Sequence, residues 1–182
     1  MKAFKLLMGC LLISSFSFGQ SFRNIELQAA GLTCSMCSNA INKALSKVDF
    51  IKSIDTDLSK NLFIISIKDG AVPDFDVIRK KVEDAGFSVG KMTVDVNFAN
   101  QKVVNDEHTL VNGKILHFLN IKDQTLNGWK RLQLVDKNYL VSGQSKKFQA
   151  ATSMSCYKTG VAGNCCKSDD IKAGQRIYHV TI

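Results

Sequence analysis

Three observations predict an α+β fold in two parts. Between residues 22 and 98, short runs of alternating apolar and polar residues bracket two runs with helical spacing, in the order strand, helix, strand, strand, helix, strand. Two such halves make a four-stranded antiparallel sheet with both helices on one face, the ferredoxin-like βαββαβ plan. From residue 107 to 182 the helical spacing stops. Short strand-like runs separated by Asn- and Gly-containing turns take over, which predicts a small β-rich domain, and an OB-like barrel suits that length.

Each element has its own warrant. Ile25, Leu27 and Ala29 alternate with Glu26, Gln28 and Ala30, a half-buried strand. Ala40, Ile41, Ala44, Leu45 and Val48 share one face of a helix. Phe50 to Thr56 is a second strand, and Leu62 to Lys68 a third, with Asp57 to Asn61 as the turn. Pro73 precedes Asp74, a helix N-cap, and Phe75, Ile78, Val82 and Ala85 follow at helical spacing until Gly86 ends the run. Met92, Val94, Val96 and Phe98 form the clearest strand. The polar stretch from Ala99 to Asp106 reads as a linker. Beyond it, Lys114 to Ile121, Lys130 to Val135, Tyr139 to Val141 and Arg176 to Ile182 read as strands. Turns are expected at Asn112-Gly113, Asn127-Gly128, Asp136 to Asn138 and Ser142-Gly143.

At 45 % hydrophobic and 22 % charged, the composition of the 182 residues is that of a globular protein. The formal charge is +8, but the basic residues are scattered among apolar ones, and no basic cluster or aromatic base-reading motif accompanies them. Nucleic acid is therefore not an expected partner. Lys2 and Lys5, the apolar run Leu6 to Phe18 and the small residues around Ser17 and Gly19 predict a signal peptide over residues 1–19. Leu7-Met8-Gly9-Cys10 weakly resembles a lipobox, but the apolar run before Cys10 is short, so a lipid anchor there is not expected. No later stretch approaches the roughly 20 apolar residues of a membrane span. The expected product is exported, periplasmic or secreted, without a membrane span.

Export changes the reading of the cysteines, because disulfides persist outside the reducing cytosol. Removal of Cys10 leaves Cys34, Cys37, Cys156, Cys165 and Cys166, an odd number that cannot all pair within one chain. Cys34 and Cys37 stand two residues apart where a strand hands over to a helix. The spacing alone leaves three readings open: a soft-metal site, a redox pair or a plain disulfide. A thiolate there would be favoured by backbone N–H groups and by the helix dipole. Two sulfurs satisfy linear copper(I) and leave it open to an incoming ligand, whereas structural zinc takes four ligands. Met36 could add a thioether, though an exposed side chain is the plainer reading.

Gly31-Leu32-Thr33-Cys34-Ser35-Met36-Cys37, with Glu83-Asp84-Ala85-Gly86-Phe87 at the end of the second helix, resembles the heavy-metal-associated domain family over about residues 22–98. The usual loop of that family reads Gly-Met-Thr-Cys-x-x-Cys. Leu32 departs from it where methionine, an apolar packing prop, is usual. The resemblance implies a metal site at Cys34 and Cys37, shielded by Phe87, and a copper chaperone-like role of delivery or sequestration. It implies copper(I) as the metal, with mercury(II) or zinc as alternatives. Zinc-transporting relatives often carry an acidic residue just before the first cysteine. Thr33 in that place favours copper(I), and small exported mercury scavengers share the domain. The implied partner is a metal-transporting or metal-accepting protein. A thiol–disulfide oxidoreductase of the cell envelope is the competing function. It is disfavoured because Trp129 lies far from the cysteine pair and Pro73 sits in a turn before a helix.

Cys156, Cys165 and Cys166 form a second group, with Gly160 and Gly163 allowing the chain to bend between them. A disulfide from Cys156 to Cys165 or Cys166 is expected, since adjacent cysteines bond each other only with strain. A second metal site built from these cysteines with Met154 or a histidine is the alternative. His117 and His179, on strand-like runs, read as ordinary core or surface residues, His108 as solvated, and Asp169-Asp170 as a surface turn. No residue set suggests catalysis: neither a Ser/His/Asp arrangement nor a phosphate loop occurs, so an enzyme is not expected.

Overall fold

A computed structural model describes residues 21–182, except Thr33, Ser142, residues 167–170 and the side chain of Cys165. The signal-peptide and Cys10 readings, the Thr33 argument, the Asp169-Asp170 turn and any bond made by Cys165 lie outside the described residues.

The first part follows the predicted order. Strand β1 (Ser21–Ala30) leads to helix α1 (Ser35–Leu45), then β2 (Ile51–Asp57), β3 (Leu62–Ile67), helix α2 (Phe75–Asp84) and β4 (Ser88–Val103). β1 lies between β3 and β4, antiparallel to both. Ile41 and Leu45 of α1 and Phe75, Ile78 and Val82 of α2 bury against Ile25, Leu27, Phe63, Ile65, Met92 and Val94 of the sheet. The alternation of apolar residues along the strands thus meets the 3.6-residue spacing of the helices. Asp74 caps α2 by accepting from the backbone N–H groups of Asp76 and Val77.

The second part differs from expectation in a way that decides the architecture. Among the described residues the sheet does not close into a barrel. The eight strands described lie in one open sheet, ordered β2-β3-β1-β4-β7-β8-β6-β5. The supposed linker is the cause: residues 99–103 continue β4, which runs for 16 residues and offers its outer edge to β7 (Gln124–Leu134). β7 pairs with β8 (Ile177–Thr181), which runs parallel to β6 (Lys114–Phe118), and β6 closes a hairpin with β5 (Glu107–Val111). The hairpin turn is the predicted Asn112-Gly113, both residues with positive φ (46° and 77°), the twist a two-residue hairpin requires.

Two other expectations are corrected. Asn127-Gly128 lies within β7 rather than in a turn. Tyr139 ends a single 3-10 turn, Lys137–Tyr139, instead of starting a strand. Two short helices, α3 (Ser145–Gln149) and α4 (Cys156–Thr159), lie where the sequence reading placed no element.

These helices create a second layer. Side chains alternate across a sheet, so Tyr178 and Val180 face α1 and α2, while Ile177 and His179 face the other way. The clusters follow that alternation: Tyr178 and Val180 join the large core, and Ile177 packs with Ile115, Cys156, Ala162 and Cys166. Phe148 of α3 and Tyr157 of α4 pack with Leu119, Val135 and Leu140. α1 and α2 therefore cover one face of the sheet, and α3 and α4 cover the other at the β8–β6 end. Among the described residues no helix is long and apolar enough to cross a membrane.

Candidate metal centres

The first candidate site grows out of the end of β1. Gly31, at φ +83°, turns the chain out of the strand, and Leu32 tucks into the core. Cys34 is the N-cap of α1. Its carbonyl accepts from the N–H groups of Cys37 (3.1 Å) and Ser38 (3.3 Å), and its Sγ accepts from the Cys37 N–H (3.3 Å). The sulfur therefore sits where unsatisfied N–H groups and the positive end of the helix dipole favour negative charge. Hydrogen bonding from Cys37, by its side chain first and its backbone second, outweighs a small opposing effect of burial and holds the Cys34 thiol below its ordinary range; the Met36 backbone adds to the lowering.

Cys34 is exposed with a free thiol, whereas Cys37 is half-buried and packs against the core. Phe87 packs on that same core. Met36 is 81 % exposed, the plainer of its two expected readings. An exposed, electrostatically favoured sulfur next to a half-buried one can hold a soft ion at the surface and leave it accessible to an incoming thiolate.

The second candidate site is on the opposite face of the sheet, and histidines build most of it. The chain has three histidines, and all three converge. Antiparallel register places His108 opposite His117, and parallel register places His117 beside His179. Their rings follow, with centroids 4.5 Å apart for His108 and His117 and 5.0 Å for His117 and His179. Cys156, on α4, projects its sulfur among them, 3.6 Å from His108 Nε2 and 3.7 Å from His117 Nδ1. Ligand atoms of His117, Cys156 and His179 lie within 4.8 Å of one another, as do those of His108, Cys156 and Cys166. His117, His179, Cys156 and Cys166 are buried, and His108 is half-buried.

Carboxylates hold two of the imidazoles from behind. His117 Nε2 lies 2.9 Å from Asp106 Oδ1, and His179 Nδ1 lies 3.0 Å from Asp136 Oδ1. A carboxylate only accepts, so each of these ring nitrogens donates, and the remaining nitrogen of each ring keeps its lone pair. For His117 that nitrogen, Nδ1, faces Cys156. For His179 it is Nε2, which is buried without a hydrogen-bond partner among the described residues. Burial, followed by the neighbouring His179 and His108, pushes His117 down to about 4, so its ring is neutral at pH 7. Burial and His179 likewise lower His108. Asp136 is itself held by Arg176 Nη1 at 3.0 Å, and the Tyr157 ring stands edge-on to His179 with centroids 4.9 Å apart.

Sequence reasoning singled out Cys34, Cys37, Cys156, Cys165 and Cys166 and allowed a histidine beside the second group, but it read His117 and His179 as ordinary core or surface residues and His108 as solvated. The structure buries His117 and His179 in the core and corrects the reading of His108, which is half-buried against His117. One signal was available, because His179 alternates with Tyr178 and Val180 and must share a face with Ile177. The partner strand was not readable, since the β6–β8 pairing joins residues some 60 apart (His117 with His179). The helix that carries Cys156 is only four residues long and has no periodicity to detect. Met154 is half-buried and packs against the cluster that contains Cys156.

Comparison with known proteins bears on the first site. The heavy-metal-associated domain profile matches residues 26–88. The chain is 31 % identical over 65 residues to the "Mercuric transport protein periplasmic component" of Pseudomonas fluorescens, covering 36 % of this chain and 70 % of that protein. It is 29 % identical over 66 residues to "Copper chaperone CopZ" of Staphylococcus haemolyticus, covering 36 % of this chain and 96 % of that one. Among solved structures, the yeast copper transporter domain Ccc2a is 30 % identical, with a TM-score of 0.33 over 37 % of this chain and 90 % of that one. The profile match ends at residue 88, before β5, and the remainder of the chain is unassigned. Through residues 26–88, with Cys34 at the N-cap and Cys37 in the first turn of α1, this chain belongs to the heavy-metal-associated domain family.

Proposed function

We propose that the protein is an exported copper(I) carrier that binds the ion between Cys34 and Cys37 and passes it to an accepting protein by thiolate exchange. The observation that carries the reading is the position of Cys34 as the exposed N-cap of α1, accepting the Cys37 N–H. The helix end favours the thiolate, Cys37 anchors the second sulfur against the core, and the open side admits a third sulfur. An incoming thiolate binds before an outgoing one leaves, so the ion is never without sulfur ligands. The accepting protein presents a similar pair of thiolates. Thr33, where an acidic residue would suit zinc, favours copper(I), and the similarity to a copper chaperone supports the same ion. Export rests on the charged and apolar leader, and similarity to a periplasmic protein supports it. Binding and transfer account for these features without catalysis.

Titration of the reduced chain with copper(I) against a chelating competitor tests this. Substituting both Cys34→Ser and Cys37→Ser is expected to remove one tightly bound equivalent and to abolish rapid exchange with a dithiol acceptor. An unchanged stoichiometry and exchange rate would overturn the reading. Mercury(II) is the second reading, favoured by similarity to a mercuric transport protein. Induction of the protein by mercury(II) salts and not by copper salts would select it.

A further inference from the structure

Two buried imidazoles in this chain are each oriented by a carboxylate, and both lie beside the same buried sulfur. We propose that His117, Cys156 and His179 form a second metal site, for a transition-metal ion of the copper and zinc class, in the layer between the sheet and α4.

Donor type, spacing and orientation each support the site. Imidazole nitrogen together with thiolate sulfur suits copper and zinc and excludes magnesium and calcium, which take oxygen. Bonds of about 2.0 Å to nitrogen and 2.3 Å to sulfur at a tetrahedral angle place the two donors about 3.5 Å apart. The separation from Cys156 Sγ to His117 Nδ1 is 3.7 Å. The donors are thus already spaced as one ion requires. Histidines that bind a metal usually donate their other N–H to a carboxylate or carbonyl, which fixes the tautomer and aims the lone pair. His117 on Asp106 and His179 on Asp136 both do so.

The burial of His179 Nε2 is the observation that a purely structural role leaves unexplained. A ring nitrogen with no exposed area and no hydrogen-bond partner among the described residues carries an uncompensated desolvation cost. A metal ion at that lone pair offsets it. His108 and Cys166, grouped on the same Cys156 sulfur, are the donors available for a fourth position.

The site is separate from the Cys34–Cys37 loop. β1, which ends in that loop, is three strands away from β8 in the sheet, and His179 projects from the face opposite α1. The second ion is therefore enclosed by the fold, while the first is held at its surface. Burial of all three ligands suits a resident ion that ties α4 to β6 and β8.

Cobalt(II) titration of the reduced Cys34→Ser/Cys37→Ser chain is the test, because it isolates this site from the first. One equivalent is expected to bind, with a sulfur-to-cobalt charge-transfer band and the intense visible bands of a four-coordinate ion. Zinc(II) and copper(I), added in separate arms, are expected to displace it. Cys156→Ser is expected to remove the charge-transfer band, and Asp136→Asn to weaken binding about 10- to 100-fold. Should the Cys156 variant fail to fold, cadmium-113 resonance of the Cys34→Ser/Cys37→Ser chain gives the ligand set without further substitution. A shift in the mixed nitrogen and sulfur range, with coupling to imidazole nitrogen, is expected. No bound ion in any arm, a cadmium signal without histidine coupling, or recovery of Cys156 in a disulfide from protein isolated metal-free would overturn the proposal.

Discussion

Cys34 and Cys156 show how position governs the chemistry of one residue type. Cys34 is exposed at a helix N-cap, and hydrogen bonds from Cys37 lower its thiol from the ordinary value. Cys156, on α4, is fully buried between that helix and the sheet. Thiolate character and access both raise reactivity, and both favour Cys34. In the reduced, metal-free chain at pH 7, iodoacetamide is expected to modify Cys34 at least about tenfold faster than Cys156, measured by peptide mass spectrometry over time. Equal rates would mean that α4 does not shield Cys156. The same contrast explains what could be read from sequence at this scale. Cys34 and Cys37 were legible because a local motif, Gly31 to Cys37, carries both the turn and the cap. The histidine cluster was not, because His108, His117 and His179 meet only through strand pairing between distant segments, and strand pairing has no local signature.

At the scale of elements, α2 does more than cover the first half of the sheet. Its first turn places Asp76 against the second part of the chain. Asp76 accepts from Arg176 Nε at 2.7 Å, from the Tyr139 hydroxyl at 2.8 Å and from the Tyr178 hydroxyl at 3.2 Å. Burial acts on this carboxyl most strongly and upward. The Arg176 hydrogen bonds, the Tyr139 hydrogen bond, the charge of Arg176 and the Tyr178 hydrogen bond together outweigh it, and the carboxyl is held down at about 2. An unfolded aspartate titrates near about 3.9. The folded value is the lower one, so the stabilisation is fully present above about pH 4 and is lost as pH falls toward about 2. Asp76→Ala is expected to cost about 2 kcal/mol at pH 7, since it leaves Asp136 as the one carboxylate on Arg176 and strands the Tyr139 hydroxyl, while the Tyr178 hydroxyl keeps Asp74 Oδ1 at 3.2 Å. The difference between variant and parent in urea unfolding is expected to shrink from pH 4 to pH 2. A difference that stayed constant over that window would show that Asp76 acts through packing and not through its charge. The N-cap at Asp74 and the helical spacing of Phe75, Ile78 and Val82 were readable in advance. The long-range partners of Asp76 were not, because Arg176 lies 100 residues away.

The whole molecule is organised by β4. The ferredoxin-like plan leaves the outer side of its fourth strand as a sheet edge, with unpaired N–H and C=O groups. Here β7 covers that edge along most of its length, from Thr93 opposite Gln133 to Val103 opposite Gln124. The polar composition of residues 99–106 concealed this. Gln101 and Lys102 look like linker residues, yet they belong to a strand whose inward positions, Phe98 and Val103, are buried. The large core crosses the boundary as well: Ile41 and Ile78 of the helices join a cluster that also holds Leu132, Leu134 and Tyr178. A sheet and a core that span both parts couple their stabilities, so the two regions are expected to unfold in one transition. Ile41→Ala removes a fully buried side chain from the first part and is expected to cost roughly 2–5 kcal/mol. Trp129, on β7 and half-exposed beside Arg23, reports on the second part by fluorescence, while far-ultraviolet circular dichroism is dominated by α1 and α2. In the metal-free, reduced chain both signals are expected to shift to the same lower urea midpoint in the Ile41 variant. If the dichroism midpoint moved and the Trp129 midpoint did not, the two parts would fold as separate units and β4 would be a contact between them, not a shared strand of one cooperative structure.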